Sequence, residues 1–363
     1  MQKIPLVDAK AQYAPLIPEL EGRFREVLES GAFIRGPHFW AFQEEAAAYL
    51  GVNRAIGVGN GTDALVLVLD ALEIGPGDEV ICPAFTFYAT AESIARRGAT
   101  PVFADIDSAT MNLDLEDVAA RVTGRTRAIM PVHLFGRPLP IEPLLELGLT
   151  VIEDSAQAFG APGVAQRGTI ATYSFYPTKN LFALGDGGLV ATNDEELAER
   201  VQMLSFHGSR DKVDFDFVGY NSRLDEVQAA ALRVFLPQLA GWNAGRREAA
   251  ARYAELGLGD LVELPADEPG HIYHLFVCRS PEREAIRTAL AEQGIATGVY
   301  YTTPLHLQPA LRFLGWEPGS LPATEEVAAD NFSLPLWPGM PVEAQERVVD
   351  AVRAAVGAAA PSA

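Results

Sequence analysis

The sequence predicts an α/β protein with a large domain built on a mostly parallel sheet and a smaller C-terminal α+β domain. Three observations carry that expectation. Between residues 55 and 192 seven short apolar runs alternate with helix-like stretches, the pattern of strands joined by crossover helices. A long helical stretch, with breaks at Pro237 and Gly241, follows over 223–256. Beyond it a helical run lies between two strand-like runs, so the domains divide as 1–240 and 241–363.

In chain order, "MQKIPLVDAKAQYAPL" mixes polar and apolar residues and reads as an N-terminal arm, without the basic start and apolar core of an export signal. The expected strands of the large domain are "AIGVG", "DEVICP", "TPVFAD", "RAIMPV", "LTVIED", "ATYSF" and "GLVAT". "TDALVLVLDALEI" puts apolar side chains at 64, 65, 67, 68, 71 and 72, which is helical spacing, and "LEDVAARV" reads the same way. In the smaller domain "HIYHLFVCR" and "ATGVYY" read as strands on either side of the helix "EREAIRTALAEQG". The tail "AAVGAAAPSA" is low in complexity and is expected to fray. Ligands of such a sheet bind beyond the carboxyl ends of its strands, and the chemical motifs are expected to cluster there.

Composition narrows the function. A net charge of -20 argues against a nucleic-acid or anionic-membrane surface, which needs a contiguous basic face. No apolar run reaches the roughly 18 residues of a membrane span. Cys82 and Cys278 are too few and too far apart for a disulfide framework or a metal cluster, which suits a reducing cytoplasm. His38, His133, His207, His271, His274 and His306 show no zinc spacing, and no serine sits in a "GxSxG" elbow. Only four of the 28 basic residues are lysines: Lys3, Lys10, Lys179 and Lys212. Lysine, unlike arginine, loses its proton when buried and then serves as a nucleophile.

Four stretches carry candidate chemistry. "GVGNGTDAL" is a strand, a Gly-rich turn and a helix start, suited either to a phosphate or to a tight capped turn. In "FTFYAT" Phe87 either stacks on a flat ring or joins the core. "TVIEDSAQAFG" ends a strand on Asp154, which fits the ring nitrogen of a pyridine cofactor or a helix cap; Gln157 follows one turn later. In "SFYPTKN" Lys179 has hydroxyl, aromatic and glycine neighbours and few charges, so it is either a Schiff-base amine or a loop lysine. The order of phosphate turn, aromatic, strand-end carboxylate and lysine favours the chemical readings.

Together "NGTDAL", "PAFTFYAT", "EDSAQAFG", "SFYPTKN", "GDGG" and "GYNSRLDEVQAA" resemble the DegT/DnrJ/EryC1/StrS family of pyridoxal-phosphate sugar aminotransferases, over nearly the whole chain. The resemblance implies the aspartate-aminotransferase type fold (PLP fold type I) and a homodimer with shared active sites. It implies that Lys179 holds pyridoxal 5′-phosphate as a Schiff base and that Asp154 meets the ring nitrogen. Phe87 would stack on the ring and Gln157 would approach its phenolic oxygen. Gly61, Thr62, the Asp63 amide and Ser174 would hold the phosphate, with Asn221 reaching it from the partner and Arg223 available to substrate. L-Glutamate would be the amine donor and a nucleotide-linked keto sugar the acceptor. "SRLDEVQAA" resembles members acting on 3-keto sugars linked to dTDP or UDP more than those acting on 4-keto sugars. Arg210 and Lys212 in "HGSRDKVDFD" could meet a diphosphate, and Tyr301 and His306 in "YYTTPLHLQPAL" are further substrate candidates beside the alternative of a solvated loop and a packed strand end. The competing readings are a 4-keto enzyme, a relative acting on a non-sugar carbonyl, and a regulatory protein that keeps the fold without turnover.

Overall fold

The computed structural model describes residues 3–359. All seven runs expected in the large domain form strands: β1 (Arg54–Val58), β2 (Glu79–Pro83), β3 (Thr100–Ala104), β4 (Thr126–Ile129), β5 (Thr150–Asp154), β6 (Ile170–Ser174) and β7 (Gly188–Thr192). They make one sheet in the order β1-β7-β6-β5-β4-β2-β3. Its ladders are parallel except where β7 runs antiparallel between β1 and β6. The start of β7 therefore lies at the same edge as the ends of β1 and β6, with Gly188 opposite both Val58 and Ser174.

Side chains alternate across this sheet and build a core on each face. Ala55, Ala171, Tyr173, Leu189 and Ala191 join a cluster with Phe39 and Phe42 of the helix Pro37–Leu50 and with Leu232 and Phe235 of the helix Glu226–Phe235. On the other face Ile56, Val58, Ile152, Ile170 and Val190 meet the helix Gly61–Ala71. That helix buries Val66 and Leu69 as well as its expected apolar stripe, because the helices Ala89–Arg96 and Glu195–Ser205 cover its outer side.

The C-terminal part differs more from the expectation. Its sheet has two antiparallel strands, β8 (Phe276–Arg279) and β9 (Asn331–Leu334), the second of which periodicity did not reveal. "HIYHLFVCR" is a strand only in its last four residues; its first part runs along the large domain, where Ile272 N–H donates to Gly136 O at 2.9 Å and His274 N–H to Phe135 O at 2.8 Å. "ATGVYY" is not a strand and meets β9 through the bridge Gly298 to Ser333 and the Tyr300 N–H, which donates to Asn331 Oδ1 at 3.2 Å. Residues up to Ala359 of the low-complexity tail continue the helix Val342–Ala359, and the last four lie outside the described residues. The helix Leu239–Glu255 crosses the expected division at 240/241, with Leu239 in the large core and Ala249, Ala250 and Tyr253 in a C-terminal core beside Phe276, Phe332 and Val348. We propose that the two domains divide within this helix.

Candidate active site

One edge of the large sheet gathers the chemical residues. The turn after β1 leads into the helix Gly61–Ala71, β5 ends at Asp154, β6 ends at Ser174 and β7 starts at Gly188. The helix start is capped by Asn60, whose Oδ1 accepts the Asp63 N–H at 2.8 Å. The expected Asp63 amide is therefore committed to the cap, and Thr62 is not the capping residue. Gly61 and Thr62 begin the helix, where N–H groups have no intrahelical acceptor and the dipole is positive. Ser174 is immediate to them, since a Cβ on Gly61 would stand 2.8 Å from Ser174 Cβ and 3.3 Å from its Oγ. The Asp63 carboxylate accepts from Ser222 Oγ at 2.6 Å, and Gly59 N–H donates to that same hydroxyl at 3.0 Å.

Asp154 is 4% exposed. Its Oδ2 accepts from Thr90 Oγ1 at 2.8 Å and its Oδ1 from Ala156 N–H at 3.2 Å. Burial raises its carboxyl above the ordinary range, while Thr90, the Ala156 amide, Lys179 and His133 pull the other way. The Lys179 amine is drawn down to about 8 by burial, against the carboxylate of Asp154. The pair thus combines an anion short of positive charge with an amine that gives up its proton readily. The lysine turn is fastened by Lys179 N–H to Tyr176 O at 2.8 Å and by its neighbour Asn180, whose buried amide reaches Asn243 Oδ1 and Ile272 O at 2.8 and 3.1 Å.

Gln157 is held at both ends, with its Oε1 accepting Phe135 N–H at 2.7 Å and its Nε2 donating to Tyr301 OH at 3.0 Å. Tyr301, reached at φ 57°, lies parallel to Phe135 and edge-on to Phe85, at centroid distances of 6.2 and 5.4 Å. Its hydroxyl therefore belongs to the Gln157 side of the site. Phe87 is 60% exposed on the connection after β2, so the core alternative does not hold for it.

The remaining substrate candidates separate. His306 is 1% exposed and its Nε2 meets Glu325 at 3.1 Å, so it is enclosed by packing. Arg210 is exposed and paired with Glu199 and Asp216 at 2.8 and 3.3 Å, so its charge is satisfied away from the strand ends. Asn221 is exposed and accepts from Arg223, whose guanidinium lies 5.4 Å from the Phe206 ring, with the Lys212 ammonium 4.8 Å from the same ring. Sequence reasoning missed Thr90, although it stands in the quoted "FTFYAT", because nothing local shows that this hydroxyl turns toward a carboxylate 64 positions away. It also missed Asn60 as the cap and Asn180 beside the lysine. Among the described residues no cluster of metal-ligating side chains occurs and no helix is long and apolar enough to cross a membrane.

The model of the DegT/DnrJ/EryC1/StrS aminotransferase family matches residues 16–353. The chain is 47% identical over 362 residues to a pleiotropic regulatory protein of Geobacillus stearothermophilus, covering 96% of this chain and 97% of that one. It is 44% identical over 360 residues to a UDP-N-acetyl-3-dehydro-alpha-D-glucosamine 3-aminotransferase of Acidithiobacillus ferrooxidans, with coverage of 96% and 97%. Among solved structures it matches S. venezuelae DesV in complex with a ketimine intermediate at a TM-score of 0.94 and 42% identity, over 98% of this chain and 99% of that chain.

Proposed function

Because the chain belongs to the DegT/DnrJ/EryC1/StrS aminotransferase family, we propose that it moves an amino group from L-glutamate to a nucleotide-linked 3-keto sugar with pyridoxal 5′-phosphate as cofactor. The observation that carries this reading is the convergence of Lys179, Asp154 with Thr90, and the Gly61–Ser174 cradle at one sheet edge. The donor set fits the cofactor: a buried carboxylate for a protonated ring nitrogen, a helix start and hydroxyl for a phosphate, an open aromatic face and a partly deprotonated amine. When bound, pyridoxal phosphate supplies an aldehyde for amines and a ring that withdraws electrons from the carbon bearing them. Asp154 would hold the ring nitrogen protonated, and Thr90 would keep that carboxylate in place. Gly61, Thr62 and Ser174 would hold the phosphate, Phe87 would cover one ring face, and Gln157 would stand at the phenolic oxygen. Lys179 Nζ would tie the cofactor and, when released, carry the proton between the amine-bearing carbon of the substrate and the aldehyde-derived carbon of the cofactor.

The 3-keto preference is supported by the acceptor named for the Acidithiobacillus relative. We further propose a homodimer, in which the exposed Asn221 reaches the partner's phosphate site, and a cytoplasmic setting. Incubating the protein and L-glutamate with 3-keto and 4-keto nucleotide sugars, with mass detection of the amino sugar, tests the reading; amination of only the 4-keto compounds would overturn the regiochemistry. A regulator without turnover is the second reading, favoured by the name of the Geobacillus relative. It predicts that glutamate leaves the cofactor's absorbance unchanged.

Gly188 bears on the phosphate seat directly. A Cβ there would stand 2.4 Å from the carbonyl carbon and oxygen of Asn60 and 2.9 Å from Gly61 N, and backbone cannot yield as a side-chain tip does. Gly188→Ala is expected to displace the turn, costing about 1–3 kcal/mol. Titration of the apoprotein with pyridoxal phosphate should show at least about tenfold weaker binding.

A further inference from the structure

We propose that His274 and Asn243 are positioning residues for Lys179: by fixing the side-chain amide of Asn180 from the C-terminal part of the chain, they set where the neighbouring lysine stands. The inference rests on the role proposed for Lys179 above and adds two residues that no motif singled out. Asn180, His274 and Asn243 are all buried. The Asn180 Nδ2 donates to Asn243 Oδ1 at 2.8 Å and to Ile272 O at 3.1 Å, and its Oδ1 faces His274 Nδ1 at 3.2 Å. With both amide hydrogens committed, Oδ1 can only accept, so Nδ1 of His274 carries the hydrogen between them. Turning the amide over would set its oxygen against two acceptors and its NH2 against an N–H donor, which leaves one satisfied orientation.

All three partners of this amide come from beyond residue 240, and each is anchored in turn. Asn243 lies on the helix Leu239–Glu255, which runs from the large core into the C-terminal one, and its Nδ2 donates to Phe159 O at 3.4 Å. The segment 271–274 is laid along the turn at Phe135 and Gly136 by the N–H groups of Ile272 and His274. A Cβ on Gly136, at φ 88°, would stand 2.9 Å from His274 N, so glycine is what lets the two backbones approach. Phe135 N–H donates to Gln157 Oε1. One segment thus braces both the lysine turn and the residue proposed for the phenolic oxygen.

The charges around His274 suit a brace and not a proton carrier. Lys179 faces it from the lysine turn and Arg246 from the helix, one turn after Asn243. Arg246 is fully buried, with its Nη1 3.4 and 3.5 Å from Tyr273 O and His274 O and its Nε and Nη2 without a hydrogen-bond partner. Burial and these two cations hold the imidazole well below its usual range, so it stays neutral across physiological pH. Its bond to Asn180 therefore does not change with pH, and it adds no further positive charge beside the lysine amine.

The test uses the full chain, with and without cofactor, and its His274→Leu, His274→Asn and Asn243→Ala variants. In His274→Leu and Asn243→Ala the loosened turn admits water to the amine. The pH midpoint for capture of pyridoxal phosphate by the apoprotein should then rise from about 8 by about one unit toward the ordinary lysine value of about 10.4. In the holoprotein the rate at which saturating glutamate changes the cofactor absorbance should fall about 10- to 100-fold, the range for a reacting group displaced by about 1 Å, with half-saturating glutamate unchanged. His274→Asn places an amide N–H where Nδ1 stands and should recover most of both. A wild-type midpoint in both His274→Leu and Asn243→Ala would overturn the role, and Asn243→Ala decides alone where His274→Leu does not fold. Losses as large in His274→Asn as in His274→Leu would overturn it in favour of packing. Wild-type apoprotein that captures no pyridoxal phosphate would defeat the cofactor reading as well, whereas normal capture with unmoved variants defeats the positioning alone.

Discussion

Lys179→Ala should leave a folded protein whose aminotransferase rate has fallen by at least about 10⁴-fold, since one side chain is asked to supply both the covalent tie and the proton transfer. The same variant should show neither the absorbance band of lysine-bound cofactor nor a fast response to glutamate. Lys179→Arg separates charge from chemistry, because arginine keeps a cation beside Asp154 and supplies no neutral amine. Turnover in either variant near the wild-type rate would remove Lys179 from the mechanism. The pH dependence gives an independent check. An ordinary lysine near 10.4 is almost wholly protonated at neutral pH, whereas burial brings Lys179 to about 8. Neutral amine is the form that attacks a carbonyl, so capture of pyridoxal phosphate by the apoprotein should accelerate with rising pH and level off above about 8. A rate still climbing at pH 10 would show that the amine is not depressed.

Asp154→Asn should retain cofactor and lose about 10²–10³-fold in turnover, the range expected when one preorganised electrostatic partner is removed. The amide occupies nearly the same volume, so packing against Thr90 is kept while the charge that would hold a ring nitrogen protonated is gone. The Thr90 hydroxyl, which donates to Asp154 Oδ2, keeps an acceptor when the Asn oxygen takes that position, and the Asn NH2 then faces the Ala156 N–H that donates to Oδ1 at 3.2 Å, so one hydrogen bond is lost. The deficit should appear chiefly in kcat, with the thermal midpoint lowered only by the loss of that one bond. Thr90→Val should act in the same direction more weakly, since it removes a positioning hydrogen bond and leaves the carboxylate. An Asp154→Asn enzyme with unchanged kcat would assign Asp154 to structure alone.

What could be read from the sequence follows from the range of each signal. All seven strands of the large sheet announce themselves, because each is a short, largely buried apolar run bounded by turns. The strand β9 and the irregular path of 296–301 do not, because their conformation depends on contacts across the chain: Gly298 on Ser333, and Ile295 on Ile4 of the N-terminal arm. The proposed site divides similarly. Lys179, Asp154 and the turn at Gly61 stand in motifs with an order along the chain. Thr90 and Asn180 act through partners far off in sequence, while His306, expected from its family-like segment, and Arg210, expected from its charge, are occupied by packing and by local carboxylates.

The reversed direction of β7 bears on how the lysine can move. Since β6 ends and β7 begins at one edge, the segment between them leaves and returns at the same place, closed by Phe175 N–H to Gly187 O at 2.8 Å and Ala183 N–H to Phe175 O at 2.7 Å. A crossover would have had to traverse the sheet and could shear with it. This loop is instead a short ring tied at its neck, with little closure entropy to regain by opening. Its backbone amides should exchange slowly with solvent deuterium even without cofactor. In the proposed role the amine would change covalent partners by torsion of its four-carbon stem alone, on a mount that stays still.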